Sequence, residues 1–196
     1  MPPDVKLIAF DTSAAHCAAA LLLGDSIVTR VDEMDKGQAE HLMPMLEQML
    51  ANAGIGWADL NGIGVVTGPG NFTGIRIAVS AARGLALGLG KPAIGVDGFA
   101  ARAYGATRPF TAIIPAPRDQ AYVQFFDADG GTSQPALMGK DALPAMMSLP
   151  APAKLISAVA RIAAERLQTD HPRPAPLYIR DADAAPPRDP APTILS

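Results

Sequence analysis

The run from residue 63 to residue 96 constrains the fold most. IGVVT at 63–67 is an apolar run of strand length. GPGNFTGIR at 68–76 carries three glycines and a proline. An Ala- and Leu-rich stretch follows to Leu89, and AIGV at 93–96 is a second short apolar run. A strand, a helix and a strand with short joints make a βαβ unit, which places two strands parallel and the chain in the α/β class. Thr73 is a good N-cap, so the spacing predicts a helix from about Gly74 to Leu89, closed by Gly90-Lys91-Pro92.

GPGNFTGIR itself has two readings. A P-loop needs a lysine directly after its second glycine, followed by Ser or Thr, and no lysine stands near Gly74. A dinucleotide fingerprint needs Gly-x-Gly-x-x-Gly, and Gly68, Gly70 and Gly74 miss it by one residue. A tight strand-to-helix turn is one reading. A loop whose Gly74 and Ile75 amides bind an anion at the helix start is the other. Along the helix Ala78, Ala81, Ala82 and Gly84 are small enough to admit a second helix. Arg76, Ser80 and Arg83 share one face, either as a solvated edge or to meet an acidic or phosphate-bearing partner.

Before this unit, KLIAF (6–10), CAAALLL (17–23) and IVTRVD (27–32) read as three strands joined by turns, an antiparallel meander. CAAALLL is equally compatible with helix by composition. QAEHLMPMLEQMLANAG (38–54) carries Leu42, Met45, Leu46, Met49 and Ala53 at helical spacing. Pro44 belongs in the first turn or at a kink, and Gly54 ends the helix. Met43 and Leu50 widen the stripe beyond one face, which suggests contact on two sides, one of them another chain. After residue 105, AIIP (112–115) and AYVQFFD (121–127) read as strands and residues 153–168 as a helix. Prolines 172, 174, 176, 186, 187, 190 and 192 then forbid regular structure except at LYIR (177–180), a strand-like island.

The remaining composition mostly excludes. Hydrophobic residues are 49% of 196 but aromatics only 5%, so the core is aliphatic. A formal charge of −3 argues against a globally basic nucleic-acid binder. The single cysteine, Cys17, precludes an internal disulfide and reads as buried packing in a reducing compartment. The N-terminus lacks a secretory pattern and no apolar run reaches the roughly 18 residues of a membrane span, so a cytoplasmic protein is expected. The three histidines, His16, His41 and His171, are scattered. A zinc helix would pair His41 with a second histidine four residues away, but Gly37 and Met45 stand there. Asp11, ending the first strand, is the one carboxylate placed as a catalytic residue would be; alone it reads as a turn cap.

Together, IAFDTS, EHLMPML and TGPGNFTGIRIAVSAARGLALGLGKPAIGV resemble the TsaB (YeaZ) family of tRNA threonylcarbamoyladenosine biosynthesis, in the glycoprotease-like (M22-like) superfamily. The resemblance is dense over residues 7–100 and returns at Tyr122 and LYIRDADA (177–184). It implies an actin-like ATPase (ASKHA) fold with two lobes of mixed sheets flanked by helices. Residues 1–104 would form the N-terminal lobe and 105–196 a reduced second lobe with a Pro-rich tail. It also implies a non-catalytic subunit that activates a TsaD-like paralogue in threonylcarbamoylation of tRNA adenosine. The chain would bind no cofactor alone, and ATP only at a shared interface. Its partners would be TsaD, a TsaE-like ATPase in a larger complex, or a second copy when alone; tRNA would be contacted indirectly and membranes not at all. The interface would lie on the helices at 38–53 and 74–89, at His41, Leu42, Met45, Met49, Thr73, Gly74, Arg76, Ser80 and Arg83. Met45→Glu is then expected to abolish pairing while leaving the monomer folded.

Two departures accompany the resemblance. VDGFAARAY (96–104) has no histidine where TsaD-like chains are His-rich. PAPRDQAY places Pro115 and Pro117 where TsaB-like chains carry an acidic and a basic residue. The alternatives that remain open are a stand-alone ATP-dependent small-molecule kinase of the same fold and, last, a metallopeptidase.

Overall fold

Continuous apolar runs in the first thirty positions build a sheet with two buried faces. In the computed structural model, which describes residues 5–143 and 149–179, β1 (Lys6–Asp11), β2 (His16–Leu23) and β3 (Ser26–Glu33) form the antiparallel meander. β4 (Gly62–Val66) pairs parallel with β1, and β5 (Ala93–Val96) parallel with β4. The five-stranded mixed sheet has the order β3-β2-β1-β4-β5.

Side chains alternate across this sheet as the strand period of two requires. Ile8, Phe10, Cys17, Ala19 and Leu21 face one side, where α1 (Gln38–Asn52) and α2 (Phe72–Leu89) cover them. Leu7, Ala9, Ala18, Ala20 and Leu22 face the other, under α4 (Pro152–Glu165). A strand covered on both faces reads as a continuous apolar run. CAAALLL is therefore the buried strand β2, which composition alone left undecided. Close approach at Gly64 lets α4 lie against the sheet: a Cβ there would stand 3.0 Å from both the Ala163 and the Ala9 Cβ.

The second sheet is antiparallel: β6 (Phe110–Ala116), β7 (Gln120–Phe126) and β8 (Ala136–Gly139), in that order. Its core, Ala112, Ile114, Tyr122 and Phe126, packs on Phe99 of α3 (Gly98–Ala103). The sequence patterns missed β8 and α3. Asp97 caps α3, its Oδ1 accepting from the Phe99 and Ala100 amides at 3.0 and 2.8 Å. A six-residue helix is too short to show a period of 3.6, so only the cap signalled it. α4 follows β8 in the chain yet covers the first sheet, so the second half of the sequence contributes to both layers.

Two other expectations are corrected. The cap of α2 is Asn71, not Thr73, and the helix begins at Phe72: Asn71 Oδ1 accepts from the Gly74 amide at 2.8 Å. Residues 177–179 form no strand; one backbone bond, Leu177 N–H to the Thr67 carbonyl at 2.7 Å, ties them down, with Leu177 and Ile179 against the second core. Arg180 and prolines 186, 187, 190 and 192 lie outside the described residues.

Candidate functional site: the outer face of α2 and the cleft at its start

The loop before α2 is built by hydrogen bonds to the β1–β2 turn. The Asn71 amide donates to the Ser13 carbonyl at 2.7 Å, and the buried Thr12 hydroxyl donates to the Gly74 carbonyl at 2.7 Å. Glycine is required at 74, because a Cβ there would run into the Thr12 carbonyl oxygen. The Gly74 amide is held by Asn71 Oδ1 and the Ile75 amide by the Asn71 carbonyl at 2.9 Å. Both amides offered as an anion cradle are thus engaged, and the loop is an architectural turn that locks α2 onto the end of β1.

α2 divides cleanly around its axis. Gly74, Ile75, Ala78, Val79 and Ala82 are buried in the first core. Ala78 and Ala82, two of the small residues read as admitting a second helix, instead let α2 approach its own sheet. Thr73, Arg76, Ser80 and Arg83 stand together on the opposite, exposed face, continued by Gly84, Leu87 and Gly88. Leu87 is 86% exposed. A Cβ built on Gly84 or Gly88 meets nothing within 4 Å, so the helix backbone there is open to close approach. By length and composition α2 reaches what a membrane span requires, contrary to the sequence expectation; its inward face is part of the protein core.

Arg76 already has partners. Its Nε donates to the Tyr178 hydroxyl at 2.9 Å, and its guanidinium carbon sits 3.7 Å from the Phe72 ring centroid. The Phe72 and Tyr178 rings are 5.1 Å apart. Tyr178 therefore packs on the first turn of α2 and fixes Arg76 there.

Of the α1 part of the expected interface, Leu42, Met45 and Met49 are not on the surface. Leu42 and Met45 are 1% exposed and Met49 6%, all packed in the first core with Leu46 and Leu50. Gly74 is buried as well. The wide stripe on α1 faces inward because the helix lies over the sheet and beside α2, and both surfaces need covering. His41 is on the surface, and its Nε2 lies 2.6 Å from Asp32 Oδ2. Arg30 also grips Asp32 through Nε and Nη2, at 3.0 and 2.8 Å to Oδ2. The Arg30 hydrogen bond, above all, holds the Asp32 carboxyl below its usual value, with His41 adding to it against the opposing effect of burial. Cys17 is fully buried, and burial first, then the charges of Asp32 and Asp11, push its thiol up to about 11. It is packing, as expected.

A cleft of about 350 Å³ opens at the ends of β1 and β4, beside the start of α2. Asp11, Ser13, His16, Asn71 and Arg102 bring polar groups to it. Asp11 Oδ1 accepts from the Ser13 amide at 2.7 Å and so caps the turn; Oδ2 faces His16 Nε2 at 3.4 Å. Arg102, overlooked in the sequence, donates from Nη1 to the Gly98 carbonyl at 2.9 Å, while its buried Nε has no partner. Burial lowers its pKa, opposed by the charge of Asp11. Pro115 and Pro117 line the cleft opposite, so the second sheet brings no charge there from those positions. Among the described residues no cluster of three or more His, Cys, Asp or Glu could hold a metal ion.

Residues 32–185 match the family described as TsaD, tRNA N6-adenosine threonylcarbamoyltransferase. The chain is 33% identical over 104 residues to the tRNA threonylcarbamoyladenosine biosynthesis protein TsaB of Escherichia coli (strain K12), a match covering 53% of this chain and 45% of that protein. It is 34% identical over 122 residues to a tRNA N6-adenosine threonylcarbamoyltransferase of Jannaschia sp. (strain CCS1), covering 52% of this chain and 34% of that one. The matches thus span about half the length of the TsaB relatives or less. YeaZ from Pseudomonas aeruginosa superposes with a TM-score of 0.69 at 24% identity, covering 89% of this chain and all of that one. That likeness establishes the fold, an α/β architecture of the actin-like (ASKHA) class with a mixed sheet between helices. The chain therefore belongs to the TsaD family of tRNA threonylcarbamoyladenosine proteins, and within it resembles those named TsaB and YeaZ.

Proposed function

We propose that the chain is a non-catalytic subunit that binds and activates a TsaD-like threonylcarbamoyl transferase through the outer face of α2. The names of its relatives supply the pathway, threonylcarbamoyladenosine formation on tRNA. The observation that carries the docking role is the outer face itself. A helix whose inner face is fully used leaves a second face with an isolated, 86% exposed leucine and two open glycines. Covering that face removes apolar area from water at roughly 25 cal/mol per Å², against the cost of association.

The same reading takes residues 1–104 as the docking lobe and 105–196 as the smaller one, with α4 returning to the first sheet. Without the partner, a second copy covers the face as a homodimer. ATP and a TsaE-like ATPase join at the shared interface, in the cytoplasm. The kinase alternative finds less support, because the hairpin that would hold phosphates spends Thr12 and Asp11 on internal bonds.

Co-elution of the chain with the TsaD-like paralogue from the same genome tests this. Leu87→Glu is expected to lose the complex with an unchanged thermal melt. A variant that still co-elutes with full affinity, or an isolated chain that transfers threonylcarbamoyl to tRNA unaided, would sink the proposal.

A further inference from the structure

At the far end of α2, away from the Arg76 contact, lies a groove of about 460 Å³. Three separate segments meet there. Arg83 comes from α2, Lys91 from the turn after it, and His171 and Arg173 from the segment following α4. The apolar lining is Ala86, Pro92, Ala93 and Pro174, with Gly84 and Leu87 of the outer face of α2 along one edge. Among the described residues no carboxylate lines the groove, although the chain carries a net charge of −3. The His16–Asp11, Arg30–Asp32 and His41–Asp32 ion pairs lie elsewhere. The side chains of Arg83, Lys91 and Arg173 have neither hydrogen bond nor ion pair among the described residues. His171 Nδ1 lies 2.8 Å from the Thr169 carbonyl.

We propose that this groove binds the phosphate backbone of an RNA strand. Three permanent cations brought together in an acidic protein, with no counter-charge among the described residues, repel one another unless an anion joins them. Apart from the imidazole, every polar side chain in the lining is a donor only, which matches a ligand made of acceptor oxygens. A polypeptide would also bring backbone N–H groups, and the side chains of the groove hold no carboxylate, amide or hydroxyl to accept from them. Two of the cations are arginines, whose planar forks fit phosphate oxygens in pairs. Among the described residues no aromatic side chain lines the groove, so they offer no platform for stacking bases. Contact is to the backbone and independent of sequence. The inference rests on the RNA-modification reading only for its choice of RNA as the polyanion.

Binding of a fluorescein-labelled single-stranded RNA oligonucleotide to the isolated chain, followed by anisotropy, tests it. Three neutralised phosphates give a log–log salt slope of about −2, so affinity falls roughly 20-fold between about 50 and 200 mM KCl. Lys91→Ala with Arg173→Ala should reduce the slope by about 1.4 and leave the thermal melt unchanged. Lys91→Arg with Arg173→Lys should keep both affinity and slope. A slope the alanine pair does not change overturns the proposal. So does displacement of the RNA by poly-glutamate at matched charge, which would make the groove a site for acidic polypeptide. Displacement by inorganic phosphate at matched ionic strength overturns it too, in favour of a small-anion pocket. The groove shares Arg83, Gly84 and Leu87 with the helix face assigned to the protein partner, whereas Lys91 and Arg173 lie outside that face. Co-elution with that partner therefore reports on the docking proposal, and RNA anisotropy of the isolated chain reports on this one.

Discussion

Met45→Glu separates an inward-facing α1 from an outward-facing one. Met45 is 1% exposed, packed among Leu42, Leu46 and Met49 over the first sheet. Losing the buried thioether side chain costs about 2–5 kcal/mol, by analogy with truncation of buried Met or Leu. The replacement carboxyl must also enter the core. It does so neutral, and protonating a Glu of ordinary value about 4.3 at pH 7 costs about 4 kcal/mol. Together these approach the whole stability of a domain, about 5–15 kcal/mol. The expected result is a chain largely unfolded or molten at pH 7, not a folded monomer that merely fails to pair. Circular dichroism melts from pH 7 down to pH 5 provide the assay, with Met45→Leu, expected to cost under about 1.5 kcal/mol, as the control for shape. The new carboxyl has a folded-state pKa raised above its unfolded value. Its penalty is therefore absent below the unfolded value and grows as pH rises, so the deficit against wild type should shrink on acidification. A Met45→Glu protein that melts like wild type at pH 7 would refute the burial argument and return Met45 to the interface.

Two further outcomes follow from the local geometry. Asn71→Ala removes the side-chain cap from the Gly74 amide and should cost about 1 kcal/mol in urea unfolding, whereas Thr73→Ala, at an exposed first-turn position, should stay within about 0.5 kcal/mol; equal effects would contradict the assigned cap. Asp32 has a folded-state pKa lowered by Arg30 and then His41, so its contribution is present above its unfolded value and is lost as pH falls through the folded one. Asp32→Asn should therefore flatten the acid limb of the stability profile below about pH 4, and an unchanged limb would mean the cluster adds nothing.

Local chemistry made the main elements legible. A period of two marked β3, and short apolar runs bounded by turn residues marked β1 and β7. A Gly-rich joint between two apolar runs marked the parallel pair β4–β5 and the helix between them. Gly90, with φ of 64°, stops α2 where its freedom from a Cβ suggested. What local chemistry missed was either too short for a period, as with α3 and β8, or decided by a choice between neighbours, as with Asn71 over Thr73 at the cap. For the candidate site, the sequence picked out Arg76, Ser80 and Arg83 as one face, and they do form one exposed face.

The sequence by itself determined that α1 and α2 are amphipathic and that the chain wraps a mixed sheet, because periodicity and turn residues act over a few positions. Only the tertiary structure decided which face each helix spends inward. A stripe of apolar side chains records that something covers it, not whether the cover is this chain's own sheet or another protein. Met45 and Leu87 look alike in the sequence, yet one is 1% exposed and the other 86%. The same holds for Arg76, which donates to Tyr178. Contacts between residues so far apart in the chain arise from packing of whole layers, and no local pattern encodes them.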